Sequence, residues 1–327
     1  MIQYACVPNT SRNTRRVASD RAARSAPSSR RDDEVAERLR ALLERFGFRP
    51  LSARSRLLSL LLGTHPPEMS VERLVAFGEI VGIRPGTVRT TLSRMVAAGD
   101  LTTDDARYRL SERLLERQRQ QDLDHTDALT DAPRPARPDD EPGDAPDAAP
   151  TGPAGWRGGW GGGWWTAVVV ADDRSMTDRR RFRSSMTGAR MGELRPDIWM
   201  RPDNLAAPTA EGMIVTHGPL VHGDPGRLVN DLWDVDALEA SATELCAALD
   251  DLRSVFVADP RRHLPIAFDV SAVVVNFLRR EPRLPAELVE LTRCATLRSA
   301  YADFNVTFLA ELSTMLDDGR ASPRRSP

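Results

Sequence analysis

A chain of 327 residues with 41% apolar side chains holds enough material for two or three ordinary cores. Its formal net charge of -2 conceals a division: residues 1–121 carry 22 Arg against 14 acidic residues, 122–163 carry 3 against 9, and the remainder 20 against 24. The longest nearly unbroken apolar run, 164–171, falls far short of the ~18 residues of a membrane helix, and the Ser- and Arg-rich N-terminus lacks the apolar core of a secretory signal, so a cytoplasmic protein without a membrane span is expected.

Residues 1–33 are polar and aperiodic, which predicts a disordered basic arm. The domain that follows, 34–121, opens with Val35, Leu39, Leu42, Leu43 and Phe46 at helical spacing, ending near Gly47. Three short helices come next. Ala53, Leu57, Leu60 and Leu61 form the face of the first, which stops at Gly63 and the turn His65-Pro66-Pro67. Ser70 caps the second, with Val71, Leu74, Val75, Gly78 and Val81 inward. Pro85 opens the third, over 85–98, with a stripe of Val88, Leu92, Met95 and Val96, and Gly99 ends it. Two extended pieces, 101–103 and 107–110, join through a turn at Asp104-Asp105, and Ser111 caps a last helix running to about Gln121. Three helices and a hairpin make the order of a winged helix-turn-helix.

Residues 122–163 have the Asp, Pro, Ala and Gly content of a flexible linker. Trp156, Trp160, Trp164 and Trp165 interleave with glycines at its end; that run precedes a strand, whereas a phosphate-binding glycine loop follows one. From 164 to 233 the expected pieces are a buried strand over 164–171, a helix over 175–187, two short strands within 192–201, a strand over 213–221 and a helix over 225–233. A β-α-β-β-α-β order would make this a ferredoxin-like α/β middle domain. Residues 234–316 are helical, with three apolar stripes: Leu238 to Leu252, Ile266 to Leu278 and Leu288 to Leu312. These predict a C-terminal helical bundle followed by a disordered tail over 317–327. The fold class expected is therefore α+β and multidomain.

In a winged helix the third helix enters the major groove, and side chains opposite its buried stripe meet bases and phosphates. On 85–98 those are Thr87, Arg89, Thr90, Thr91, Ser93 and Arg94, with Arg107 joining them from the hairpin. Arginine donates a bidentate pair to guanine, while Thr and Ser donate to phosphate or touch a thymine methyl. The same residues could equally form a solvated helix face; their place before a hairpin, in the basic part of the chain, favours double-stranded DNA.

The stretches SARSRLLSLLLG (52–63), VRTTLSRMVAAGDL (88–101) and YRLSERLLE (108–116) resemble the N-terminal domain of the PaaX family, repressors of phenylacetate-degradation operons. The resemblance continues through ELRPDIWMRPDNL (193–205), LWDVDAL (232–238), FLRREPRLPAELV (277–289) and RSAYADF (298–304), in order. It implies a winged helix, a ferredoxin-like middle domain and a helical C-terminal domain, a homodimer on operator DNA, and release by an aryl-CoA thioester or related aromatic catabolite. The acidic linker, the N-terminal extension and the short LTRCATL segment depart from the family pattern. Phosphates of an acyl-CoA effector would need cations, and the densest set outside the head is Arg179, Arg180, Arg181 and Arg183, which also reads as a solvated basic face.

Two rivals stand beside a regulator. Asp172 and Asp173, after the first strand of the middle domain, would hold Mg²⁺ in a nuclease, although paired acids before a helix are ordinarily its N-terminal cap. A winged-helix scaffold for protein contacts is the other. Cys6, Cys246 and Cys294 lie far apart without CxxC spacing, and His217 and His222 flank a Gly-Pro turn, so neither a disulfide framework nor a metal site is expected. No catalytic set stands out, and the chain is expected to be a non-enzyme without a cofactor.

Overall fold

The computed structural model describes residues 28–64, 66–115, 160–170, 175–208 and 212–321. Helix α1 (Ser28–Arg45) starts inside the stretch expected as a disordered arm, and buries Val35, Leu39, Leu42 and Leu43. A short linker leads to α2 (Ala53–Leu62), whose cap Ser52 accepts the N–H of Ser55 at 3.1 Å. Strand β1 (Glu68–Ser70) runs directly into α3 (Val71–Ile80), capped by Ser70. Helix α4 (Pro85–Ala97) begins on proline, which needs no N–H there, and buries Val88, Leu92 and Met95 completely. What lets α3 and α4 meet is Gly78: a Cβ on it would stand 2.4 Å from Cγ2 of Val88.

Strands β2 (Leu101–Asp104) and β3 (Arg107–Leu110) form an antiparallel hairpin, and β1 adds to its other edge in the order β1-β3-β2. The turn sits one residue later than expected, on Asp105 (φ 43°) and Ala106 (φ 58°). Two positive φ values match the twist of a two-residue hairpin loop, and the Ala106 carbonyl accepts the N–H of Val71 at 3.0 Å, anchoring the loop to α3. Strand β1 escaped the sequence pattern because three residues carry no period. A further helix opens at residue 112 and is described to 115; its expected course to Gln121 lies outside the described residues, as do 122–159 of the expected linker.

The expected linker does not reach residue 163. Trp160 is already buried, packs edge-on against Trp164 at 5.8 Å between centroids, and donates its indole N–H to the Gly163 carbonyl at 2.9 Å. Then follow β4 (Gly163–Val169), α5 (Met176–Gly188), β5 (Gly192–Arg195), β6 (Ile198–Pro202), β7 (Met213–Pro219) and α6 (Pro225–Leu232). The four strands pair antiparallel in the order β5-β6-β4-β7. Helix α5 covers one face, where Phe182 and Met186 meet Ala167 and Trp199; Val229 and Leu232 of α6 cover the Trp164 end of the other. The β-α-β-β-α-β order expected for this part is not formed. The separate pieces fall where they were expected, in the order β-α-β-β-β-α: among the described residues no helix lies between β6 and β7, and the second helix follows β7.

Three long helices complete the chain: α7 (Val235–Phe256), α8 (Pro260–Arg280) and α9 (Thr292–Ala321). The last starts at Thr292, later than the expected stripe from Leu288, and continues through the start of the expected disordered tail. Helix α1 lies on α7, tied by Arg38 to Asp251 and by Arg45 to Glu244, each at 2.9 Å. Helices α2 to α4 share one apolar core with α7 to α9. Phe77 of α3 meets Phe268 of α8 at 5.5 Å, and Arg56 of α2 pairs with Asp269 at 3.1 Å. The chain is thus a mixed α+β protein with two small antiparallel sheets, and no described helix is long and apolar enough to cross a membrane.

Candidate nucleic-acid interface

With Val88, Leu92 and Met95 inward, the 100° step per residue turns the remaining positions of α4 to solvent. Thr87, Arg89, Thr90, Ser93 and Arg94 are exposed and Thr91 is half-buried. Thr87, Thr90, Thr91 and Arg94 line a shallow depression together with Arg84 and Gly86. Arg89 and Ser93 fall on the opposite edge of the exposed arc. Among the described residues Arg84, Arg89 and Arg94 form no ion pair, so three guanidinium groups stand ready for an anionic partner. Arg84 was hidden from sequence reasoning because it lies in the turn, one residue before the helix; its place as N-cap residue brings it to the same surface.

The two central threonines are committed locally. Thr90 donates its hydroxyl hydrogen to the Gly86 carbonyl at 2.9 Å and Thr91 donates to the Thr87 carbonyl at 2.7 Å. Such bonds back to the i−4 carbonyl are a known habit of Thr in helices.

The frame around α4 is polar and specific. Asp100, just past its end, is buried and takes Arg54 at 3.0 Å and Arg113 at 2.9 Å, which fixes the corner into β2. At the other end Arg56 donates to the Val81 carbonyl at 3.1 Å while its second arm holds Asp269. The turn entering α4 is therefore pinned to α8.

Arg107 is not free. It donates to Glu68 of β1 at 3.0 Å, and Arg109 donates to the other carboxylate oxygen through Nε at 2.9 Å. The Arg109 hydrogen bond, then that of Arg107, holds the Glu68 carboxyl below its ordinary range. Sequence reasoning found Arg107 but neither Arg109 nor Glu68, because a pairing across 39 positions leaves no local signal.

Arg179, Arg180, Arg181 and Arg183 are exposed on α5, and Arg183 reaches Glu193 at 3.1 Å. Two other arginines of this part are buried, and no period marked them. Arg190 donates to the Leu278 carbonyl at 2.9 Å, and also to that of Glu281, where α8 ends. Burial, with the charge of Arg190 adding, lowers Arg201 to about 10. His217 bonds Asp203 at 2.7 Å and packs against Trp165, ring centroids 4.5 Å apart and planes tilted by 40°. Asp172 and Asp173 lie outside the described residues. Among the described residues no group of three or more His, Cys, Asp or Glu is placed to hold a metal.

A family model described as PaaX-like protein matches residues 52–114, the segment from α2 through the hairpin. Among solved structures, the chain is similar to an uncharacterized protein, Rv0674, from Mycobacterium tuberculosis, with 30% sequence identity and a TM-score of 0.58. That similarity covers 82% of this chain and 99% of the other. No curated protein matches.

Proposed function

The chain belongs to the PaaX-like family, and from that footing we propose that it is a DNA-binding transcriptional regulator whose α4 reads operator DNA from the major groove. The observation that carries this is the division of α4: a fully buried stripe on one side, and on the other three arginines without ion pairs among the described residues, interleaved with Thr and Ser. The helix is followed by an antiparallel hairpin in the order of a winged helix, within a basic part of the chain. Arginine supplies both phosphate neutralisation and bidentate recognition of guanine. The protein acts as a repressor and binds a pseudo-palindromic site as a homodimer, so that the symmetry of the pair is mirrored in the DNA. A small-molecule effector releases it, and an acyl-CoA thioester would find its cations in Arg179, Arg180, Arg181 and Arg183.

Mobility shift on the duplex flanking its own gene tests the DNA reading. The wild-type chain forms a discrete complex that survives excess unrelated DNA, and the combined Arg89→Ala and Arg94→Ala change removes it. Intact specific affinity in that variant would show that another surface reads the site. Calorimetric titration with phenylacetyl-CoA tests the effector: heat, with loss of the DNA complex, is expected, and silence in both would remove the acyl-CoA.

A further inference from the structure

A threonine on a DNA-facing helix has two different things to offer. Its hydroxyl can donate to a phosphate or to a base, or its methyl can pack on the 5-methyl group of thymine. In α4 the choice is made before any DNA arrives, because the hydroxyl hydrogens of Thr90 and Thr91 already bond the carbonyls of Gly86 and Thr87, at 2.9 and 2.7 Å. Phosphate oxygens, guanine O6 and N7 and thymine O4 accept hydrogen bonds and cannot donate them. A threonine oxygen without a free hydrogen meets all of these as one acceptor facing another. What they can offer is the methyl group, or an oxygen that only accepts, as from an adenine or cytosine amino group; both residues line the depression together with Arg84 and Arg94.

We infer that Thr90 and Thr91 are methyl readers: they select thymine in the major groove by apolar contact with its 5-methyl group, while the arginines of the same face supply the polar contacts. This rests on the proposed operator binding by α4 and adds to it the identity of the base that two named positions prefer. Removing one buried methyl is worth about a three- to fivefold change in affinity. The effect is therefore small enough to leave binding measurable and large enough to resolve.

The test deletes the methyl from either partner. The wild-type full-length chain is first used to select its own site from a pool of random duplexes, and the thymines of that site are then replaced one at a time by uracil, which lacks only the 5-methyl. Two doubly substituted chains are compared on both DNAs: Thr90→Ser with Thr91→Ser, which keeps the hydroxyls and loses the methyls, and Thr90→Val with Thr91→Val, which does the reverse. Both positions lie on the outer face of α4, and circular dichroism checks that each variant is folded. At the contacted thymines, uracil is expected to weaken the wild-type and Val chains about three- to fivefold each. The Ser chain should be weaker on thymine DNA and indifferent to uracil. A Ser chain as tight and as uracil-sensitive as wild type would overturn the inference. So would a Val chain that loses the site, since the hydroxyl oxygen would then be accepting from an adenine or cytosine amino group. Selection that enriches no sequence at all would remove operator recognition itself, a failure separate from that of the methyl contact.

Discussion

Glu68 decides how much of the hairpin's positive charge is open to an anionic partner. It faces Arg109 directly across the β1–β3 pairing, and its two oxygens occupy both Arg107 and Arg109, whose side chains are otherwise more than half exposed. With Asp104 and Asp105 beside them the hairpin is electrically quiet, and α4 carries the positive face alone. Glu68→Gln frees both arginines for phosphate, so binding to any duplex should tighten and its dependence on salt should steepen by about 1 to 2 in the log–log slope. A titration across salt concentrations reads this, and an unchanged slope would mean that the hairpin stays away from the backbone. The candidate face of α4 was legible in the sequence because helical periodicity separates buried from exposed positions within one element. Glu68, Arg109 and Arg84 were not, since their roles come from strand pairing and from a turn that no period describes.

At the scale of elements, Gly78 sets how closely α4 packs on α3. Its missing Cβ is where Cγ2 of Val88 comes closest; Gly78 is buried, and Val88 lies in the shared core. Gly78→Ala pushes α4 away or strains Val88, and such overpacking costs roughly 1 to 3 kcal/mol. Chemical denaturation should show that loss together with weakened specific DNA binding, whereas full stability and affinity would show that Val88 has room to turn. Helices α2 to α4 were readable because each carries its own cap and stripe: Ser52, Ser70, Pro85. The middle part was read less well. The second helix follows the fourth strand, as the separate pieces were expected to, whereas a β-α-β-β-α-β order would have put it before; the strand order within the sheet left no local signal, because it is decided by pairings between β4 and both β6 and β7 that lie far apart in the chain. Within the glycine run, Gly163, the first residue of β4, has a packing explanation, since a Cβ on it would stand 2.3 Å from the Asp203 carboxylate.

Across the whole molecule, helices α2 to α4 are joined to the C-terminal helices by a common core, and the ion pair of Arg56 with Asp269 lies at that junction. Both side chains are nearly buried, 11% and 16% exposed, and burial raises the Asp269 carboxyl more than Arg56 lowers it. A pair of this kind fixes geometry more than it adds stability. Asp269→Ala leaves a buried guanidinium without its counter-charge and should cost about 3 kcal/mol, while Arg56→Met with Asp269→Leu should recover most of it in the same denaturation experiment. An equal loss in both would show that the charges themselves stabilise the junction. No local pattern announced this union, because it links residues 213 positions apart.

Operator reading by α4 is tested most directly by the affinity of Arg94→Ala for the preferred site and for the same site changed at one base pair at a time. A base-reading arginine predicts a loss of about 1 to 3 kcal/mol on the preferred site and indifference to the identity of one particular base pair. A uniform loss on every sequence would make Arg94 a phosphate contact, and unchanged affinity with unchanged preference would contradict recognition by this helix.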